Sequence, residues 1–261
     1  MSALAGAAAL TDRSAGVPWR RMNYAKRPVT LLGGPALAAS ATVTAALGAP
    51  AGTRAAAVVV GAVSGLVGGY DDLAGARPEQ ARDKGLAGHL AALRAGRVSA
   101  GAVKVAGIGA AAAVAAVLTR RDRGAGALVD GVLTTGLVAG TANLINLLDL
   151  RPGRAGKAGA LVAAATLRGP AGGLVAGPLG ATAAVLPDDL GERVMLGDCG
   201  ANALGALLGL RLASIPGRAP RVGLLAGVVA LTLASEKVSF TKVIEATPGL
   251  RELDRLGRRP S

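Results

Sequence analysis

The sequence predicts an all-α fold, a polytopic membrane bundle of about eight transmembrane helices. Of its 261 residues, 51% are hydrophobic and only 2% aromatic, and the mean hydropathy is +0.47. The apolar runs recur at membrane-spanning length and are dominated by Gly and Ala, small residues that let helices pack closely in lipid. Charged residues cluster between these runs. This clustering disfavours the alternative, a soluble Ala-rich helical protein.

Eight apolar runs supply the predicted spans. Their approximate bounds are 29–48, 55–70, 98–118, 125–148, 156–168, 171–186, 197–213 and 221–238. Pro28 precedes the first span, and proline is tolerated at a helix start because its missing N–H costs little there. Gly169 and Pro170 separate the short fifth span from the sixth.

The distribution of basic residues predicts the orientation. Eight spans put both termini on one side, together with the loops 71–97, 149–157 and 187–196. That side carries 20 of the 29 Lys and Arg residues, counting Lys237 with the tail, whereas the other side carries eight. The positive-inside rule therefore makes the richer side cytoplasmic. The chain divides into a cytoplasmic segment (1–28), a membrane domain (29–238) and a basic cytoplasmic tail (239–261).

The net charge of +13 does not indicate a nucleic-acid partner. The basic residues flank apolar runs, and the sequence shows no basic helix face with interleaved aromatic residues. Cys199 is the only cysteine, so no disulfide framework can form within the chain. We expect Cys199 to be a small packing residue.

Acidic residues lie at the ends of three predicted spans on the cytoplasmic side. Asp71 and Asp72 end the second span, where the helix dipole disfavours negative charge and the two carboxylates repel each other. We therefore expect a cation there, either a divalent metal or a ring of Lys and Arg. Asp149 follows the fourth span and Asp198 begins the seventh. This convergence indicates a functional site at the cytoplasmic mouth of the bundle.

Each candidate also has a structural interpretation. Asp198 could be a simple N-cap of its helix, which is worth about 1 kcal/mol. Lys26, which lies beside Thr30 before the first span, could be a flanking residue that binds anionic lipid. Lys104 falls inside the third span, and we expect its long side chain to snorkel toward the membrane surface.

Four motifs in fixed order resemble those of one enzyme family. The motifs are Lys26-Arg27-Pro28-Val29-Thr30-Leu31-Leu32-Gly33-Gly34, Gly69-Tyr70-Asp71-Asp72, Asn143-Leu144-Ile145-Asn146-Leu147-Leu148-Asp149 and Met195-Leu196-Gly197-Asp198-Cys199-Gly200. Together they resemble the polyprenyl-phosphate N-acetylhexosamine-1-phosphate transferases, the MraY/WecA-like membrane enzymes. The resemblance covers residues 26–210 approximately, and the order of the motifs makes it more specific than any one of them.

The resemblance implies a reaction and a set of roles. Such enzymes use Mg²⁺ to transfer a sugar-1-phosphate from a UDP-sugar to polyprenyl phosphate at the cytoplasmic face of the bacterial plasma membrane, in cell-envelope synthesis. By motif match, Asp71 and Asp72 are the catalytic residues, and Asp198 with Asp72 holds the metal. The substrate-binding residues would be Lys26, Thr30, Asn143, Asn146 and Asp149. Membrane lipid is a further expected partner, and a homodimer is compatible with this reading.

The sequence also departs from the family pattern. Asn146 stands where the family has the first aspartate of its Asn-Leu motif, and Leu147 and Leu150 replace glycines. The histidine-rich loop of the family near the C-terminus is missing. These departures leave a second interpretation open, a non-catalytic membrane protein that binds polyprenyl phosphate or regulates the pathway.

Overall fold

Helices form the architecture of the protein. The computed structural model describes residues 11, 13–74, 94, 99–120 and 124–259. The fold is all-α, with 77% of the described residues in helices. Ten α-helices are defined in the described residues: α1 Gly33–Gly48, α2 Arg54–Ala74, α3 Ala100–Leu118, α4 Ala125–Leu148, α5 Arg154–Ala165, α6 Gly173–Leu190, α7 Gly197–Ala213, α8 Arg218–Lys237, α9 Phe240–Ala246 and α10 Leu250–Arg255.

Helices α1 to α8 coincide with the eight predicted apolar runs, and four of them are long and apolar enough to cross a membrane. These four segments are Ala51–Ala74, which contains α2, then Ala100–Leu118, Gly126–Leu148 and Arg218–Lys237, which lie in α3, α4 and α8. Helix α5 has only 12 residues, about 18 Å of rise, against a bilayer core of about 30 Å. A helical membrane bundle is thus supported with four candidate spans, and the number eight stays a prediction.

Helix α7 lies at the centre of the bundle. It is buried along almost its whole length and packs against α4, α2 and α1. Glycines make this approach close: a Cβ atom on Gly205 would lie 2.6 Å from the Ala142 Cα of α4, and one on Gly209 would lie 2.5 Å from the Leu137 carbonyl oxygen. Small residues therefore let α7 pack against its neighbours backbone to backbone, as the composition predicted.

A short β-hairpin precedes the bundle and corrects the predicted start of the first span. Strands β1 (Arg20–Met22) and β2 (Pro28–Thr30) pair antiparallel, so residues 29–32 are not helical and α1 begins at Gly33. Thr30 also forms a parallel bridge to Val194. Through this bridge, the hairpin fixes the loop that leads into α7.

The C-terminal tail folds back onto the same end of the bundle. Arg154, the first residue of α5, donates to both carboxylate oxygens of Asp254 at 2.8 and 3.1 Å, and both side chains are buried. Lys157 donates to three tail carbonyl groups, of which Asp254 O is nearest at 2.6 Å. The tail, predicted only as a basic polar segment, thus contains α9 and α10. The predicted loop 71–97 lies mostly outside the described residues.

Candidate functional site

Polar side chains from four helices meet at one end of the bundle. Asp71 and Asp72 lie in the last turn of α2, and Lys104 lies near the start of α3. Asn146 is in the last turn of α4, and Asp198 is in the first turn of α7. We call these five residues the carboxylate cluster. The structure thus brings together the aspartates that the sequence placed at the ends of separate spans.

Lys104 is the cation of the carboxylate cluster. Its Nζ lies 2.6 Å from Asp71 Oδ2 and 2.5 Å from Asp198 Oδ2. All three side chains are largely buried, with exposed fractions of 16 to 25%. The expectation that Lys104 snorkels to the membrane surface was therefore wrong, because two carboxylates inside the bundle bind its ammonium group. The sequence had no signal for this pairing beyond the position of a lysine inside an apolar run.

The Asp198 carboxylate binds side chains of two other helices and does not cap α7. Its Oδ2 contacts Lys104, and its Oδ1 accepts a hydrogen bond from Asn146 Nδ2 at 2.5 Å. The N-cap of α7 is Leu196, which makes no side-chain capping bond. The alternative that Asp198 is only an N-cap was therefore wrong.

Asp72 performs the capping of α7 instead. Its two oxygens accept the backbone N–H groups of Asp198 and Cys199, each at 2.9 Å. The positive end of the α7 dipole therefore faces the Asp72 carboxylate and offsets the unfavourable dipole of α2. Gly197 has φ +58°, and a Cβ atom there would lie 2.9 Å from the Asp72 oxygens, so any other residue at this position would be strained. Arg21 of the hairpin donates to the Asp72 carbonyl oxygen.

Asp149 lies beside the cluster at the C-terminal end of α4. Burial raises the pKa of Asp149 well above its ordinary value, and the negative charges of Asp189 and Asp198 raise it further. Asp189, which is almost fully buried, was not among the predicted site residues.

Three predicted substrate-binding residues lie apart from the hydrogen bonds of the carboxylate cluster. Asn143 is exposed on α4, and Lys26 is exposed at the hairpin turn with φ +57°. Thr30 is buried, and its hydroxyl oxygen accepts the Leu32 N–H at 3.2 Å. None of the hydrogen bonds of the carboxylate cluster within the described part of the chain involves these residues. Their substrate roles stay predictions, whereas Thr30 also has a structural role through its bridge to Val194.

The donor set fits a small magnesium site. Within the described residues, no group of three or more His, Cys, Asp or Glu side chains is arranged around one metal position. Asp71 Oδ2 and Asp198 Oδ2 nevertheless converge on one cation position, which the Lys104 ammonium group fills. Mg²⁺ is usually held by one or two carboxylates together with substrate phosphates and water, so two converging oxygens are sufficient. Asp72 is a weaker candidate ligand because both of its oxygens already accept N–H groups.

An apolar groove between α1 and α2 is lined in part by sequence neighbours of the carboxylate cluster. It has a volume of about 600 Å³ and is lined by Trp19, Leu66, Tyr70, Leu73 and Cys199 among others. The Cys199 side chain packs against Ala38 and Ala203, as expected of a packing residue. Because the Cys199 N–H bonds to Asp72, one end of the groove adjoins the carboxylates. A ligand with an apolar chain and an ionic head could therefore contact both.

No family model, curated protein or solved structure matches this chain. The resemblance to the polyprenyl-phosphate transferases therefore depends on the four motifs alone. The geometry adds one independent fact, namely that residues from three of these motifs lie within hydrogen-bonding contact of one another.

Proposed function

We propose that this protein is a membrane-embedded transferase that moves a sugar-1-phosphate from a UDP-sugar to polyprenyl phosphate. The observation that carries the proposal is the convergence of Asp71 and Asp198 on one cation position, 2.6 and 2.5 Å from Lys104 Nζ. Phosphoryl transfer depends mainly on positioning and on neutralising phosphate charge. A pair of carboxylates with a lysine between them supplies the means to hold both a metal and a phosphate.

The residues of the cluster have distinct roles in this proposal. Asp71 and Asp198 would hold Mg²⁺, which when bound neutralises phosphate charge and polarises the phosphoryl oxygen. Lys104, released from the carboxylates, donates to a phosphate oxygen as a point charge. Asn146 fixes the orientation of Asp198 through its 2.5 Å hydrogen bond. Asp72 is a positioning residue, since it holds the backbone that carries Asp198.

The groove between α1 and α2 provides the lipid half of the proposed site. Its lining is almost wholly apolar, which suits a prenyl chain, and Cys199 connects it to the carboxylate end. A polyprenyl phosphate bound there would present its phosphate near Asp72 and Asp198. This arrangement lets a membrane-bound acceptor and a soluble donor meet at the end of the bundle.

Release of UMP tests the proposal directly. The detergent-purified protein is incubated with polyprenyl phosphate, Mg²⁺ and a panel of UDP-sugars, and we expect UMP from at least one donor. Asp198→Asn should lower the rate by about 100-fold or more, a loss typical of removing one charge-stabilising group. Asp188→Asn is the matched control, because the Asp188 side chain pairs with Arg193 at the surface and such pairs contribute little. Absence of UMP with every donor would refute the transferase.

One observation favours a second candidate, a non-catalytic protein that binds polyprenyl phosphate. Lys104 already pairs with both Asp71 and Asp198 and offsets one of their two charges, so a cation of the protein itself occupies this position without a metal. Such a protein would bind polyprenyl phosphate and release no UMP. Saturable binding of polyprenyl phosphate, abolished by a bulky substitution in the α1–α2 groove such as Ala39→Trp, would then identify this function.

We further propose a multi-pass protein of the bacterial plasma membrane with both termini in the cytoplasm. The support is the excess of Lys and Arg on one side, together with contacts between segments assigned to that side. Asn23 of the hairpin donates to Glu192 at 2.6 Å, and Arg154 pairs with Asp254 of the tail. Reporter fusions at Gly52 and at the C-terminus should report opposite sides. Fusions that report the same side would refute this topology.

A further inference from the structure

The C-terminal tail carries apolar side chains that the bundle leaves exposed. Four of them, in and beside α9 and α10, have exposed fractions of 41 to 66%: Val243, Leu250, Leu253 and Leu256. Leu250 and Leu253 are three positions apart in α10 and therefore share one face of that helix. The next residue, Asp254, is buried against Arg154 of α5. The tail is thus held to the bundle by a buried ion pair, while its leucines remain exposed.

Leu250 and Leu253 line a small groove on the flank of the bundle. The groove has a volume of about 170 Å³, and six of its nine lining residues are apolar: Leu148, Ala158, Leu161, Ile244, Leu250 and Leu253. Leu161 is 56% exposed and follows Arg154, the first residue of α5, by seven positions. Seven positions correspond to about 10 Å of helix rise. The groove therefore extends along the side of the bundle, where lipid chains would lie.

Two candidate membrane spans end beside the tail. They are the segments Gly126–Leu148 and Arg218–Lys237. Leu148 lines the groove together with Ile244 of α9, and α9 begins at Phe240, three residues after Lys237. The end of a span marks the level at which the hydrocarbon core of a bilayer gives way to lipid headgroups. The tail and the groove therefore lie at the level of the headgroups.

The tail also carries cations that are not paired with any described residue. Lys242, Arg255 and Arg259 are exposed, and none of the three forms an ion pair or a side-chain hydrogen bond within the described part of the chain. Arg251 and Arg258, in contrast, pair with acidic residues of the tail. Exposed leucines together with unpaired basic residues at headgroup level are typical of segments that bind an anionic membrane surface.

We propose that α9 and α10 form a binding surface for anionic phospholipids, on the membrane side that holds the carboxylate cluster. The exposed leucines and the groove against α5 contact acyl chains, and Lys242, Arg255 and Arg259 contact headgroup phosphates. Charge complementarity identifies the occupant, because a wholly apolar partner would leave three cations unpaired and a free phosphate would leave the leucines exposed. A lipid of the adjacent leaflet supplies both an acyl chain and a phosphate. This surface is independent of the proposed transfer reaction.

A spin label at residue 256 measures how deeply the tail enters the membrane. Leu256→Cys is labelled in the full-length protein, because Cys199, the only native cysteine, is buried and should stay unlabelled. The protein is reconstituted in phosphatidylcholine vesicles with and without phosphatidylglycerol. We expect the label to be more accessible to oxygen, which concentrates in lipid, than to a water-soluble nickel complex, and more so with phosphatidylglycerol. Ala25→Cys is the control, since Ala25 is exposed at the hairpin turn and should stay accessible to nickel in both vesicles.

A charge variant tests the role of the three cations. Lys242→Gln, Arg255→Gln and Arg259→Gln are combined, and a matched variant keeps the charges through Lys242→Arg, Arg255→Lys and Arg259→Lys. Each cation near an anionic surface strengthens binding by about fivefold. The Gln variant should therefore lose the response to phosphatidylglycerol, whereas the matched variant should keep it.

Three results would overturn the proposal. The first is a label at residue 256 that is as accessible to nickel as the label at residue 25. The second is shielding of residue 256 that is the same with and without phosphatidylglycerol. The third is shielding that appears in detergent and rises with protein concentration, which would assign the surface to a second copy of the chain.

Discussion

Replacing Lys104 by methionine removes the only cation that contacts Asp71 and Asp198 among the described residues. Both carboxylate oxygens lie within 2.6 Å of Lys104 Nζ, so they are no more than about 5 Å apart. At an effective dielectric constant of about 20, two unit charges at that distance repel by about 3 kcal/mol. This agrees with the roughly 3 to 5 kcal/mol lost when one partner of a buried ion pair is removed. We therefore expect Lys104→Met to lower the unfolding free energy by about 3 kcal/mol.

The same variant measures whether the two carboxylates can hold a metal. In the wild type, Mg²⁺ must compete with the Lys104 ammonium group, whereas in Lys104→Met it meets the carboxylates alone. A ligand that binds only the folded state stabilises it by about 2.7 kcal/mol at 100 times its Kd. Mg²⁺ should therefore raise the melting temperature more in Lys104→Met than in the wild type.

Thermal unfolding in detergent, with and without millimolar Mg²⁺, is the assay. Lys237→Met is the control, because Lys237 is exposed at the end of α8 and should behave as the wild type. Addition of Asp198→Asn to the Lys104→Met variant should abolish the Mg²⁺ effect. A melting curve of Lys104→Met that Mg²⁺ does not change would refute the metal site and favour the non-catalytic alternative.

Two further predictions concern the backbone at α7 and the docked tail. Gly197→Ala should lower the unfolding free energy by about 1 to 2 kcal/mol and should lower UMP release, because Ala disfavours a positive φ and would crowd Asp72. Gly180→Ala is the control, since Gly180 faces open space, and it should not destabilise the fold. Burial raises the pKa of Asp254, but its hydrogen bonds and charge contact with Arg154 outweigh this and lower the pKa below 3.8. The contact between Arg154 and Asp254 is therefore complete above pH 3.8 and is lost as the pH falls through the lowered pKa. Hydrogen exchange of residues 240–255 would detect this loss. Unchanged protection of these residues at low pH would contradict the prediction.

The arrangement of helices could be predicted closely because it depends on hydrophobicity and on local breaks. Each of the eight apolar runs became a helix, and even the weak separation at Pro170 marks a real boundary between α5 and α6. The predicted helix ends were less accurate. Residues 29–32 looked like the start of a span, but Thr30 pairs with Val194, a contact 164 positions away that no local pattern reveals.

The site could be predicted in part. The sequence predicted that the ends of three spans lie on one side of the bundle, and the structure brings Asp71, Asp72 and Asp198 together. Lys104 was missed because a lysine in an apolar run looks the same in sequence whether it reaches the membrane surface or a buried carboxylate. The capping of α7 by Asp72 was missed for a similar reason, since caps from another helix leave no local signal.

The two candidate functions require different occupants at the cation position between Asp71 and Asp198. Lys104 Nζ lies at the point where Asp71 Oδ2 and Asp198 Oδ2 converge, and a Mg²⁺ ion held by the same oxygens would need that point. An incoming phosphate would favour the exchange, because it offers the displaced ammonium group a new partner and gives the metal further oxygen ligands. Substrate and metal should therefore bind cooperatively, with Lys104 passing from the carboxylates to the phosphate. In a binding protein without catalysis, polyprenyl phosphate would bind equally well with and without Mg²⁺. The affinity for polyprenyl phosphate, measured with and without Mg²⁺, therefore distinguishes the two functions. This measurement needs no knowledge of the donor sugar.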